Sequence, residues 1–468
     1  MRIQSLRLRP VGAAARQPSH LIMTRRLVSV AVLTCSIALS GQQAPATPGQ
    51  AAPSPQPGGG RGQQGPQVVS PEVNADRTVT LRLLAPKATE VTVTGELLNG
   101  AQPKPMTKGE DGVWTVTMPA VPPDVYTYAF NIDGVNTTDP RNPWVKLVAG
   151  TGLASQVQIP GEGLQFWDSK PVPHGLLQIV TYESKATGAT RQAYVYTPPD
   201  YTRSNTRYPV LYLLHGGGDL DPGWSMTGRA HIIMDNLIAE KKARPMIVVM
   251  PLARGGGSLG VGPNGMAPGI SAAGNVVPGG RGGARGAGAP GTAPAAPPSP
   301  APLQAFAQDF IGDLMPLVEK TFRASTRPDD RAIAGLSAGG AATINTAFSR
   351  PDLFRYVVIM SAGGGQNMEA SYPKFFGNNA AAAKQLKLLW LGAGDEDFAL
   401  KGTKAIDELL TQTGVKHSFT IRPGYRHEWR LWRQDLWEFA PLLFQEGVKG
   451  TQSANTARSL PATAGSHT

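Results

Sequence analysis

The densest chemistry in this 468-residue chain lies at Gly335-Leu336-Ser337-Ala338-Gly339, a serine with a glycine two residues to either side. Arg331-Ala332-Ile333-Ala334 before it reads as a short strand, and Gly340-Ala341-Ala342-Thr343-Ile344 after it as a helix start. A serine on such a sharp strand-to-helix turn needs small neighbours. Its hydroxyl stands exposed at the helix N-terminus, where positive partial charge favours a developing anion. Acyl transfer at a serine also needs two backbone N–H donors for the tetrahedral oxyanion. One is expected from Ala338, directly after the serine. The other is expected from Leu213-Leu214-His215-Gly216-Gly217-Gly218, a buried strand running into glycines that allow close approach, with Gly217 the first choice. His215 sits within this loop and precedes the serine, so a structural role is expected for it.

A serine on this kind of turn is the nucleophile of α/β-hydrolases, where the chain order is serine, acid, histidine. Only His417, His427 and His467 follow Ser337. His467 is close to the C-terminal residue, and His417 falls in the strand-like Lys416-His417-Ser418-Phe419-Thr420-Ile421. His427, in a loop between that strand and a helix, is therefore the expected general base. The acid that orients it should leave the end of Leu386-Lys387-Leu388-Leu389-Trp390-Leu391, through Gly392-Ala393-Gly394-Asp395-Glu396-Asp397. Asp407 and Asp435 fall on expected helices and Asp352 follows the nucleophile helix. Spacing leaves Asp395, Glu396 and Asp397 open.

The elements around these residues divide the chain. From 69 to 160 the pattern alternates in short runs, as in Thr78–Leu83, Glu90–Thr94, Val113–Val116 and Tyr126–Phe130, with Asp-Gly and Pro-rich turns between. That predicts a small β-sandwich. From 175 to 447 strands alternate with helices, which predicts an α/β fold with a mostly parallel sheet. Val210–Leu214 and the apolar Met246–Met250 are buried strands, and Phe306, Phe310, Leu314, Val318 and Phe322 mark an amphipathic helix that Pro316 should kink. Residues 42–68 form a Pro/Gly/Gln linker, 254–303 a Gly/Pro/Ala insertion and 448–468 a polar tail. Such segments lack the apolar area that ordering requires.

Composition restricts the partners. Of the net charge of +11, six arginines with no acid fall in residues 1–40, leaving 38 basic against 33 acidic residues. No dense basic run with interleaved aromatics remains, so nucleic-acid binding is not expected. Residues 23–41 carry an arginine pair, about 13 apolar residues and Ala38-Leu39-Ser40, the charged, apolar and small segments of a secretory signal peptide. Residues 1–41 are thus expected to be a leader, with Met23 an alternative start, and the product secreted or periplasmic. A lipid anchor at Cys35 is the rival reading. Cys35 is the one cysteine, so the mature chain is expected to have no disulfide and no thiol nucleophile. No H-E-x-x-H and no G-K-[ST] occurs, so no metal and no cofactor is expected.

Four motifs in order, the His-Gly-Gly-Gly loop, GLSAGG, GAGDEDF and GYRHEWRLWRQDL, resemble the esterase D-like group of α/β-hydrolases, which includes feruloyl, acetylxylan and enterochelin-type esterases. The resemblance covers about 175–447. It implies an α/β-hydrolase catalytic domain and a triad of Ser337, Asp397 and His427, because the family's acid lies three residues after the last glycine of its turn. It also aligns Trp224 with a tryptophan after the oxyanion loop, and Trp429 and Arg433 with residues after the histidine. Trp224 and Trp429, with Tyr425, are the expected substrate contacts. The chain departs from the family in the insertion 254–303, where relatives have a short loop near the site. Residues 69–160 resemble the immunoglobulin-like early-set module often fused to such esterases, with Trp114 expected in its core. The implied function is a secreted serine esterase acting on feruloyl or acetyl esters of plant polysaccharides. The same triad also suits an acyltransferase, a peptidase or a siderophore-ester hydrolase, and a non-catalytic glycan-binding protein is the other reading.

Overall fold

The computed structural model describes residues 68–149, 152–253, 302–365 and 367–445. The leader with Cys35, nearly all of the expected linker, the insertion from 254 to 301 and the tail lie outside the described residues.

Ten short strands make up the first part: β1 (Glu72–Val73), β2 (Val79–Leu84), β3 (Val91–Thr94), β4 (Lys104–Pro105), β5 (Thr107–Lys108), β6 (Val113–Met118), β7 (Asp124–Ile132), β8 (Val135–Thr137), β9 (Val145–Val148) and β10 (Gly152–Ile159). They form one sheet in the order β1-β2-β6-β5 and another in the order β4-β3-β7-β10-β9, with β8 paired to β7. Alternate residues of both sheets, among them Leu81, Val93, Val116, Tyr128, Phe130 and Ile159, meet in one apolar core, as period-two patterning requires. Trp114 belongs to that core and donates its indole N–H to the Ala85 carbonyl at 2.9 Å.

Eight further strands form the second part: β11 (Leu176–Ser184), β12 (Ala189–Thr197), β13 (Val210–Leu214), β14 (Ile247–Pro251), β15 (Arg331–Leu336), β16 (Tyr356–Met360), β17 (Leu388–Gly394) and β18 (Ser418–Arg422). Their order is β11-β12-β14-β13-β15-β16-β17-β18. β11 and β12 are antiparallel and the rest run parallel from β14 to β18. Every residue of β13, β14, β15 and β16 is buried, because helices cover both faces. The described helices are α1 (Gly223–Met226), α2 (Ala230–Ala239), α3 (Pro302–Asp309), α4 (Met315–Thr321), α5 (Ala338–Ser349), α6 (Met368–Ser371), α7 (Pro373–Ala380), α8 (Leu400–Gln412) and α9 (Trp429–Phe439). The irregularity expected at Pro316 is taken up as a widened π turn over Phe310–Leu314, between α3 and α4. The turn accommodates a residue that cannot donate an N–H.

The two parts share packing. Val125 of β7 and Trp167 lie in the same apolar cluster as Leu213, Trp224 and Leu436. The fully buried Arg433 of α9 pairs with Asp124 of β7 and donates to the Val125 carbonyl at 2.8 Å and the Thr227 carbonyl at 2.7 Å.

Candidate active site

β15 ends at Leu336 and α5 begins at Ala338, leaving Ser337 alone on the turn at φ 53° and ψ −119°. Positive φ costs energy in a residue with a Cβ, and it holds the hydroxyl away from the sheet. Two glycines make the turn possible. A Cβ on Gly335 would lie 2.2 Å from the Gly339 carbonyl oxygen, and one on Gly339 would lie 2.3 Å from that of His215. The turn is fastened by the Ser337 N–H, which donates to the Met360 carbonyl at the end of β16 at 2.8 Å.

The imidazole of His427 lies between serine and carboxylate. Its Nε2 is 2.9 Å from Ser337 Oγ and its Nδ1 is 2.8 Å from Asp397 Oδ1. Three parallel strands, β15, β17 and β18, thus deliver the three groups from their C-terminal ends. The acidic trio left open by spacing is divided by the structure. Asp395 accepts the Gly424 N–H at 2.8 Å, and Glu396 pairs with Arg426, so both hold the loop that carries His427. Asp397 alone of the three meets the imidazole. Burial works to raise the pKa of Asp397. Hydrogen bonds from His427 and the Ala399 N–H, with the nearby Ser361 hydroxyl, outweigh it and hold the carboxyl below its ordinary range.

The glycine loop after β13 comes against Ser337. A Cβ on Gly216 would sit 3.3 Å from Ser337 Cβ, and one on Gly217 would sit 3.4 Å from Ala338 Cβ. The buried His215 accepts the Ala253 N–H on Nε2 at 3.0 Å, so its Nδ1–H donates to the Gly216 carbonyl at 2.8 Å. It ties the glycine loop to the end of β14. His417 bridges Asp407 and the Val415 carbonyl, and makes no contact with Ser337 or Asp397 among the described hydrogen bonds.

The expected substrate contacts Trp224 and Trp429 need correction. Both are fully buried, so neither presents a face to substrate. Trp224 donates to the Leu214 carbonyl at 3.1 Å and packs edge-on against Trp429 with ring centroids 5.1 Å apart. Trp429 packs on Trp432, which packs edge-on against His427 at 5.0 Å. The tryptophans form the packing behind the site. Arg433, aligned with them by resemblance, is in the buried contact with β7. Tyr425 is half-buried beneath the Arg430 guanidinium.

Sequence reasoning missed Phe398. Its ring is 79% exposed and stands 4.1 Å, centroid to centroid, from the imidazole of His427. Its exposed ring therefore borders the imidazole on the solvent side. The available signal was its position, one residue after the acid. Two contacts from the β-sandwich, Glu96 and Lys146, were also missed. Glu96 accepts the Trp429 N–H at 3.2 Å, two residues after His427. Nothing in the local sequence announces either.

Among the described residues no group of acidic, histidine or cysteine side chains could hold a metal ion.

Residues 184–258 and 286–443 match the esterase family, and residues 68–145 match carbohydrate-binding module 48, the isoamylase N-terminal domain. An endo-1,4-beta-xylanase/feruloyl esterase of Xylanibacter ruminicola is 30% identical over 80% of this chain and 46% of its own length. Endo-1,4-beta-xylanase Y of Acetivibrio thermocellus is 21% identical over 58% of this chain and 23% of its own. The chain therefore spans less than half the length of either curated relative. An enterobactin esterase of Shigella flexneri shares the fold over 78% of this chain and 93% of its own, with a TM-score of 0.54 and 18% identity. With an eight-stranded sheet carrying Ser337 on the turn after β15, the chain belongs to the esterase family of α/β-hydrolases, preceded by an all-β module of the carbohydrate-binding module 48 type.

Proposed function

We propose that the chain is an exported serine carboxylic ester hydrolase acting on aromatic or acetyl esters of plant polysaccharides through an acyl-enzyme. The observation that carries this reading is the unbroken chain of contacts from Ser337 Oγ through His427 to Asp397. His427 Nε2 takes the serine proton as Oγ adds to the ester carbonyl. The oxyanion is met by the N–H groups of Ala338 and Gly217. Collapse expels the alcohol, which receives that proton, and leaves the acyl group on Ser337. Water, deprotonated by the same imidazole, then releases the acid. Asp397 keeps Nδ1–H directed and stabilises the imidazolium throughout.

Phe398 favours an acyl group with an aromatic ring, which would stack where the imidazole meets solvent. The feruloyl esterase named in the Xylanibacter ruminicola relative is consistent with that chemistry. Export rests on the signal-like segment at 23–41, and among the described residues no helix is long and apolar enough to cross a membrane.

The test is turnover of aryl acetates, methyl ferulate, acetylated xylan and a catecholate siderophore ester by wild type and Ser337→Ala. Methyl ferulate or acetylated xylan should be hydrolysed, with kcat reduced at least roughly 10³-fold in the folded variant. Undiminished turnover by Ser337→Ala would remove the assignment. A preference for the siderophore ester would move the substrate class, and acyl transfer to added sugar would move the reaction.

A further inference from the structure

The glycine loop that is to supply an oxyanion donor is held in place from the β-sandwich. The Ala149 N–H, just past β9, donates to the Gly218 carbonyl at 3.1 Å. Lys146 of β9 places its ammonium 2.6 Å from Asp219 Oδ1, with side-chain exposures of 12% and 5% for lysine and aspartate. The same carboxylate oxygen accepts the Trp429 indole N–H at 3.3 Å, and the Asp219 N–H closes the turn onto the Gly216 carbonyl at 3.2 Å. Lys146 also stands over the Trp429 ring at 5.5 Å.

A run of three glycines gains nothing from side-chain packing, and its backbone has more freedom to lose than any other sequence. A donor must nevertheless be aimed at the oxyanion within a few tenths of an ångström. Gly217 sits between two anchored points, Gly216 and the Gly218–Asp219 pair. Two of the fastenings on that pair come from β9 and the residue after it.

The module's aromatic residues are engaged elsewhere. Of the five in 69–160, Trp114, Tyr126, Tyr128 and Phe130 are buried, and Trp144 is half-buried under the Arg229 guanidinium. Four of the five rings are thus closed to stacking on sugar, and Arg229 takes one face of the fifth.

We infer that Lys146 is a positioning residue for the hydrolytic reaction: through Asp219 it fixes the oxyanion loop, so that the β-sandwich completes the catalytic centre. This rests on the ester-hydrolase reading above. Removing the ammonium should leave ground-state binding intact and misaim a donor that acts mainly in the transition state.

The experiment uses the full chain and p-nitrophenyl acetate, a substrate without sugar. Lys146→Met and Lys146→Gln should lower kcat by about 10- to 100-fold, the scale of a donor displaced by about an ångström, with KM within about twofold. Lys146→Arg should recover most of the loss. A trifluoromethyl ketone, which adds to Ser337 and places an oxyanion in the same hole, should bind the Met and Gln variants more weakly in proportion to the fall in kcat. A role limited to stability would lower the melting temperature and leave both parameters of the folded enzyme unchanged. Wild-type kcat and ketone affinity in the folded Gln or Met variant overturn the inference, and should Met fail to fold, Gln and Arg carry the test. Wild-type turnover that Ser337→Ala abolishes keeps the hydrolase reading standing whichever way the lysine variants fall. Absence of wild-type turnover overturns both.

Discussion

At the scale of single residues, three adjacent carboxylates do different work because of where the chain leaves β17. Asp395 and Glu396 face the loop of His427, and Asp397 faces its ring. Loss of the orienting carboxylate leaves the imidazole free to adopt the wrong tautomer. Asp397→Asn should therefore cost on the order of 10⁴ in kcat, as for an equivalent change in a serine protease. Asp395→Asn should cost far less and act by loosening the loop. Comparing kcat/KM of both variants on one aryl ester checks this, and a larger loss at Asp395 would reverse the assignment. Asp397 also marks stability against pH. Its folded-state pKa lies below the ordinary carboxylate value, so its ionised form stabilises the fold above that value, and the contribution is lost as pH falls through the folded value. The stability difference between wild type and Asp397→Asn, read from urea unfolding, should accordingly shrink below about pH 4. A difference constant from pH 7 to pH 3 would contradict it.

At the scale of elements, the turn at Ser337 is held because α5 packs onto the ends of β13 and β15 at backbone contact distance. Gly339→Ala puts a methyl group against the His215 and Leu214 carbonyls, which cannot swing aside as a side chain could. We expect a loss of about 1–3 kcal/mol in unfolding free energy, the usual cost of an overpacked contact. Activity should fall further than stability, because the same shift moves Ala338. A variant with wild-type melting and turnover would show that the turn has slack. This part of the molecule was readable in the sequence for a physical reason. Glycines, a serine and an apolar strand at fixed local spacing leave few conformations, and period-two and i+4 patterning gave the strands and the amphipathic helix. From spacing the acid was readable only as a trio, since side-chain direction at a strand end depends on one or two residues of register, and it was the family resemblance that singled out Asp397. Trp224 and Trp429 were misassigned because an indole suits a core and a ligand surface equally well, and composition cannot tell which face water reaches. Glu96 lies 333 residues from its partner Trp429, and no local pattern encodes a contact at that separation.

At the scale of the whole molecule, the sequence pattern separates a β-module from an enzyme domain, and the described contacts join the two through buried charge. Arg433 has no exposed side-chain surface, and Asp124 of β7 carries the carboxylate facing its guanidinium. Each ion would be costly to bury alone, so the pair is stable only while both parts are in place. Asp124→Ala leaves the guanidinium with carbonyl partners only, and should destabilise the folded chain by about 3–5 kcal/mol. Because Val125 and Trp167 share an apolar cluster with Leu213 and Leu436, separating the parts would also open that cluster to water. Unfolding in urea should consequently be a single transition, with near-ultraviolet signals from the tryptophans of both parts coinciding and with activity lost at the same midpoint. Asp124→Ala should move the whole transition to lower urea. Two separated transitions, with the variant shifting only the one reported by Trp114 in the β-sandwich core, would show instead that the module folds and melts on its own and that its contact with α9 contributes nothing to holding the enzyme together.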